Sequence, residues 1–206
     1  MEEPELRVGG WEKEKGRRTF TRLFNLILVL VIAFAFIGPS AINYNPAYVP
    51  SESLYLANGM WNGPFDVHYS KQFSGHIKIS SITYETTLDK SGELRIISMS
   101  SFMNLESVGF QSRVIDVVKE EASKESLTLI DGIVIDEALD IPAGYSIYQW
   151  EDKDITIRAI FWNEKDEYIM DDLGNYYRQY QTVICIIFAG SGTSISQATE
   201  LIEDVI

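Results

Sequence analysis

The chain has 206 residues, 30 of them acidic and 17 basic, for a formal net charge of −13. Beyond residue 42 there are 25 acids against 11 bases, and a surface of that sign repels phosphate backbones, which argues against nucleic acid as a partner. One cysteine, Cys185, excludes an intrachain disulfide, so any folded part is held by its core alone.

Residues 1–22 are polar and mixed in charge, with room for no more than a short cytoplasmic tail. From Leu23 to Ile42 the chain is apolar apart from Asn25, Ser40 and the Gly38-Pro39 pair. Twenty helical residues at about 1.5 Å each span the roughly 30 Å core of a bilayer, so residues 23–42 are expected to form a single transmembrane helix. Lys13, Lys15, Arg17, Arg18 and Arg22 precede the run and no Lys or Arg follows until Lys71. That asymmetry puts the N-terminus in the cytoplasm and the C-terminal part outside the cell or in the periplasm. A cleaved signal peptide would use Ala33-Phe34-Ala35 as its small-residue site, but the apolar run continues past it and five Glu lead the chain. Lys15-Gly16 resembles the processing site of type IV pilins, which would imply a filament subunit. The chain departs from that pattern at Arg17-Arg18, in lacking a Glu five residues in, and at Gly38-Pro39, which should break the helix. The absence of an Asn-x-Ser/Thr site and of disulfides favours a prokaryotic envelope.

Residues 43–73 read as an aromatic-rich juxtamembrane segment. Tyr44, Tyr48, Tyr55, Trp61, Phe65, Tyr69 and Phe73 run along it, with turns at Asn58-Gly59 and Asn62-Gly63-Pro64. So many rings would forfeit a large burial in a free linker, so the segment is expected to pack on the membrane, the domain or a partner. An α+β domain follows over residues 74–206. Ile77 to Tyr84 and Leu94 to Phe102 form a hairpin turned at Ser91-Gly92, and a change of apolar phase near Ser80-Ser81 predicts a bulge. Phe110, Val114, Val117, Val118 and Ala122 predict an amphipathic helix over 108–123. Strands are expected at Leu127 to Ile135, Tyr145 to Trp150, Ile155 to Trp162 and Gln179 to Ala189, the last apolar on both phases and hence central. Ser194 with Gln197 reads as a capping box opening a final helix. The fold class is an antiparallel sheet with two packed helices, in the order ββαββββα.

That order of elements, across roughly 74–206, resembles the α/β sandwich of the PsbP-like and related bacterial envelope lipoprotein domains. The resemblance lies in element order and in no residue motif. It implies an accessory or binding domain at a membrane surface.

Asp66, His68 and His76 bring both histidines of the chain close to a carboxylate, a possible three-ligand metal set, although surface histidines are the plainer reading. The acidic clusters suit loosely held divalent cations and lack the spacing of a calcium loop. The connection from Glu164 to Arg178 carries Tyr168, Asp171, Asp172, Tyr176 and Tyr177, a recognition surface if it is a fifteen-residue loop. Alternatively the flanking strands extend into it and the loop is short. Cys185, within an apolar run, reads as a buried structural residue. No glycine-rich phosphate loop, nucleophile elbow or histidine-bearing triad is present, and no cofactor is implied. The expected function is a single-pass, membrane-anchored, non-catalytic binding module or accessory subunit with a protein partner at the bilayer. An envelope hydrolase using carboxylates or a metal is the alternative.

Overall fold

The computed structural model describes residues 19–33, 42–56, 60–88, 92–102, 110–141, 143–170 and 176–206. The chain divides into two units, Met1–Ser40 and Ala41–Ile206.

In the first unit, helix α1 covers residues 19–33. Fifteen residues make about 22 Å of helix, and among the described residues no helix is long and apolar enough to cross a membrane. Residues 34–41 of the expected span lie outside the described residues. Ile42, expected to end that span, is not helical and is fully buried in the second unit. The large apolar side chains of α1 are exposed all round the helix, from 46% at Leu28 to 69% at Phe20.

The second unit is built on one seven-stranded sheet in the order β1-β2-β3-β7-β6-β5-β4, every neighbouring pair antiparallel. The strands are β1 (Trp61–Gln72), β2 (Ile77–Thr86), β3 (Glu93–Ser101), β4 (Ile133–Ile135), β5 (Tyr145–Asp152), β6 (Ile155–Met170) and β7 (Tyr176–Ala189). A short helix α2 (Ser51–Leu56) precedes β1, α3 (Phe110–Lys124) connects β3 to β4, and α4 (Gly192–Glu203) follows β7. Two meanders, β1 to β3 and β4 to β7, are thus joined at the centre of the sheet by β3 against β7.

Both faces of the sheet are covered. On one face α3 sets Val114, Val118 and Ala122 against Ile97, Met99, Ile157, Phe161, Ile184 and Ile186. Tyr148 stacks between Trp150 and Phe161 in the same layer, at 5.9 Å from each. On the other face α4 sets Ile195, Ala198, Leu201 and Ile202 against Ile147, Ile160, Val183, Cys185 and Ile187. Alternate residues of β7 therefore serve opposite cores, which is why Val183 to Ala189 is apolar on both phases and buried throughout, as expected of a central strand. The same geometry removes the bulge expected at Ser80-Ser81. The β2 to β3 register is continuous from Ile77↔Ser101 to Glu85↔Glu93, and the change of phase marks Ile77 and Ile79 facing one core, Ile82 and Tyr84 the other.

The expected boundary at residue 74 also moves. Residues 42–49 cross the α4 face as an extended strap whose main chain is read by sheet side chains. Asn43 N–H donates to Gln179 Oε1 (2.9 Å), Gln181 Nε2 donates to the Asn45 carbonyl (3.0 Å), and Ala47 N–H donates to Ser98 Oγ (2.8 Å). Val49 N–H donates to the Tyr84 hydroxyl at 2.9 Å. Tyr48 and Ile206 exchange both backbone hydrogen bonds, tying the strap to the last residue. Trp61, 1% exposed, belongs to the core, and β1 is an edge strand of the sheet. Residues 43–73 thus belong to the domain through the strap and β1, with Trp61 buried and Tyr48, Phe65, Tyr69 and Phe73 left exposed.

The last helix starts earlier than its expected capping box. Ser191 is the N-cap, its side chain accepting from Ser194 N–H, while Ser194 lies inside the helix and is fully buried.

Candidate functional site: an open cleft between β1 and α3

α3 covers the middle of the sheet and leaves β1 free on that face. A cleft of about 430 Å³ opens between them. Its floor is Ile79, Ser81 and Thr83 of β2 with Ile97 and Met99 of β3. One wall is Asp66, His68, Ser70 and Gln72, and the other is Val117, Glu120, Glu121, Lys124 and Glu125 of α3. The β1 wall follows from strand alternation, since His68, Ser70 and Gln72 sit opposite Ser81, Ile79 and Ile77 and share their face. Register shifts between Asn62 and His68 interrupt the strand above them, and Asp66 at φ +45° takes a left-handed conformation that Asp tolerates.

At the cleft's inner end Arg95 is held by three carboxylates. Its guanidinium donates to Glu93 from β3 itself (2.8 Å from Nε), to Glu121 and to Glu125 (3.0 Å). Lys124 closes the set by donating to Glu121 at 2.6 Å. The Arg95 side chain is 11% exposed and its guanidinium carbon lies 5.4 Å from the centre of the Phe188 ring. Burial works against its charge, but the three carboxylates outweigh it and hold Arg95 more firmly protonated than usual. Burial also pushes the Glu93 carboxyl above its ordinary range, with Arg95 pulling the other way. These pairs pin α3 to the sheet. The charged lining, Asp66, Glu120, Glu121 and Glu125 against Arg95 and Lys124, leaves the cleft with an acidic excess.

Asp66 and His68 meet on one cleft wall, while His76 sits in the turn after Phe73–Gly75, its N–H donating to the Phe73 carbonyl. His68 and the strand's end are four residues apart, roughly 13 Å, and among the described residues no three His, Cys, Asp or Glu groups could hold a metal. The expected three-ligand set is therefore not assembled. The fifteen-residue recognition loop is not formed either. β6 and β7 stay paired, across one register shift between Glu164 and Glu167, as far as Met170↔Tyr176, with Tyr168 opposite Arg178 and Ile169 opposite Tyr177, so both strands extend into the expected loop. Tyr176 is 71% exposed, and Asp171 and Asp172 lie outside the described residues. Cys185 is fully buried at the centre of β7, and burial raises its thiol well above the usual range.

Arg95 and its carboxylates escaped the sequence reading. Glu93 with Arg95 at strand spacing, and Glu121 with Glu125 at helical spacing, each mark one shared face. Nothing in the sequence says that the two faces meet.

No protein-family model matches the chain, and comparisons with curated proteins and with solved structures returned no match.

Proposed function

We propose that the chain is a single-pass, membrane-anchored binding module or accessory subunit whose acidic α+β domain faces outward and acts without catalysis. The observation that carries the binding role is the open cleft, which joins a floor of Ile79, Ile97 and Met99 with the hydroxyls of Ser81 and Thr83 to an acidic rim. The occupant it suits has an apolar body and a positive end, such as a basic segment of a membrane partner protein. Alongside it β1 is an edge strand, with main-chain groups that an extended segment can pair. Arg95, Glu93, Glu121, Glu125 and Lys124 are engaged with one another, which favours holding a ligand over acid-base chemistry. The anchoring role is supported by α1, apolar on every side, and by the basic residues before it. A sheet between a middle and a terminal helix is also what the PsbP-like resemblance implies.

The test compares the native chain with Ser81→Arg, which puts a cation of the ligand's own sign on the cleft floor. Each is extracted from its own membrane in mild detergent, and co-purifying proteins are identified and quantified. A stoichiometric companion kept by the native chain and lost from the variant is expected. A companion that both retain equally, or a stoichiometric transition metal in the purified protein, overturns the reading.

A further inference from the structure

We infer that one corner of the domain, formed by Tyr44, Tyr69, Lys71, Phe73, Lys78 and Arg113, docks on anionic phospholipid headgroups. The inference rests on the anchored reading and names the surface that meets the bilayer. Three stretches of chain build this corner: the strap, the turn from β1 into β2, and the start of α3. Lys71 of β1 pairs with Lys78 of β2, and Tyr69 sits two residues back along β1. Tyr44 of the strap packs edge-on against Tyr69 at 5.1 Å, and Lys78 Nζ lies 5.3 Å from the centre of the Tyr44 ring. Phe73 opens the turn after β1, and Arg113 in the first turn of α3 approaches its ring at 5.8 Å.

Large apolar groups stay in water here. Tyr69 is 56% and Phe73 59% exposed, and Lys71 and Arg113 are exposed beside them. Aromatic rings flanked by cations are the chemistry of an anionic membrane interface, where rings settle at headgroup level and each cation adds attraction. The charge pattern is local. From Val67 to Tyr84 the sequence holds Lys71 and Lys78 and no acid, although the chain carries −13 overall. Glu164 lies level with Lys71 but four strands away, through Lys78, Ser100 and Gln181. That is roughly 19 Å at normal strand spacing, beyond the ~8 Å over which salt screens exposed charges. On α3 the nearest acid is Asp116, one turn beyond Arg113 and followed by Lys119.

Chain connectivity selects a membrane as the occupant. Lys78 Nζ donates to the Ile42 carbonyl, so this corner is where the polypeptide enters the domain, directly after the apolar run. With the anchor in that run, this corner is the first part of the domain along the chain.

The experiment uses the full chain in nanodiscs of phosphatidylglycerol or of phosphatidylcholine, with single cysteine probes labelled by a water-soluble maleimide. The native Cys185 is fully buried and stays silent. Gln72→Cys, exposed between Lys71 and Phe73, reports on the corner, and Ile133→Cys reports on the opposite sheet edge. Labelling at Gln72→Cys is expected to slow in anionic discs and to recover in high salt, and the docking equilibrium it reads is expected to weaken about fivefold for each of Lys71→Gln and Arg113→Gln. Ile133→Cys is expected to label alike in both lipids. Equal rates at Gln72→Cys in both discs, or an equal slowing at both probes, overturn the docking surface and leave the anchor standing. A chain that does not enter discs removes the anchored reading itself.

Discussion

Arg95 meets three carboxylates where one would neutralise it, and the excess gives the site its pH behaviour. Replacing Arg95 with Met leaves Glu93, Glu121 and Glu125 facing one another in a half-buried place. Removing one member of such a network costs about 3 kcal/mol, and the loss should shrink in acid as the carboxylates take up protons. Urea melts at pH 7 and near pH 4 check both the size and the direction; equal losses at the two values would mean that packing, not charge, is what Arg95 contributes. Glu93 behaves in the opposite sense. Its carboxyl is raised above the ordinary 4.5 because burial outweighs the pull of Arg95. A carboxyl raised on folding contributes stability that is full below its unfolded value and lost as pH rises through the folded one. Glu93→Gln mimics the protonated form, so its melting temperature relative to the native chain should rise between about pH 4 and pH 7. A relative fall over that window would show the charged pair to be net stabilising.

At the level of elements, the ends of α4 and of the β6–β7 hairpin are set by contacts one turn or one strand away from where local pattern puts them. Ser191 Oγ accepts from Ser194 N–H at 3.3 Å, satisfying one of the free donors at the helix start. Ser191→Ala should therefore cost about 1 kcal/mol of stability, readable in thermal or urea unfolding. Ser194→Ala removes no cap and should cost less; the reverse order would restore Ser194 as the capping residue. In the hairpin, Tyr168, Ile169, Met170, Tyr176 and Tyr177 are strand-favouring types, and the paired backbone prevails over the acids between them.

For the whole molecule the strap decides where the domain begins. It is bound through main-chain groups at Asn43, Asn45, Ala47 and Val49 and closed against Ile206. Removing residues 1–41 should leave a domain that unfolds cooperatively. Removal of residues 1–73 takes away the strap, α2 and β1, exposes β2 as a new edge and uncovers the polar side chains Gln179 and Gln181. That shorter chain should lose cooperative unfolding or aggregate, as judged by circular dichroism melts and light scattering. Equal melts for the two truncations would make 43–73 dispensable to the fold.

The sequence by itself makes legible the order of the eight elements from β2 to α4, because 3.6-residue and two-residue periodicities are local, although β4 is only Ile133–Ile135 of the expected Leu127 to Ile135. Val114, Val118 and Ala122 mark α3, and the unbroken Val183 to Ala189 marks the central strand wherever they are placed in space. It did not determine β1, whose Gly63, Pro64 and exposed residues read as turns and loop until pairing with β2 supplies its hydrogen bonds. Nor did it place Ile42 in the domain, since a buried core residue and a membrane-facing one are equally apolar. The cleft was least legible of all. Its floor, its β1 wall and its α3 wall come from three stretches of chain, and only the tertiary structure, by leaving β1 beyond the reach of α3, makes them one surface.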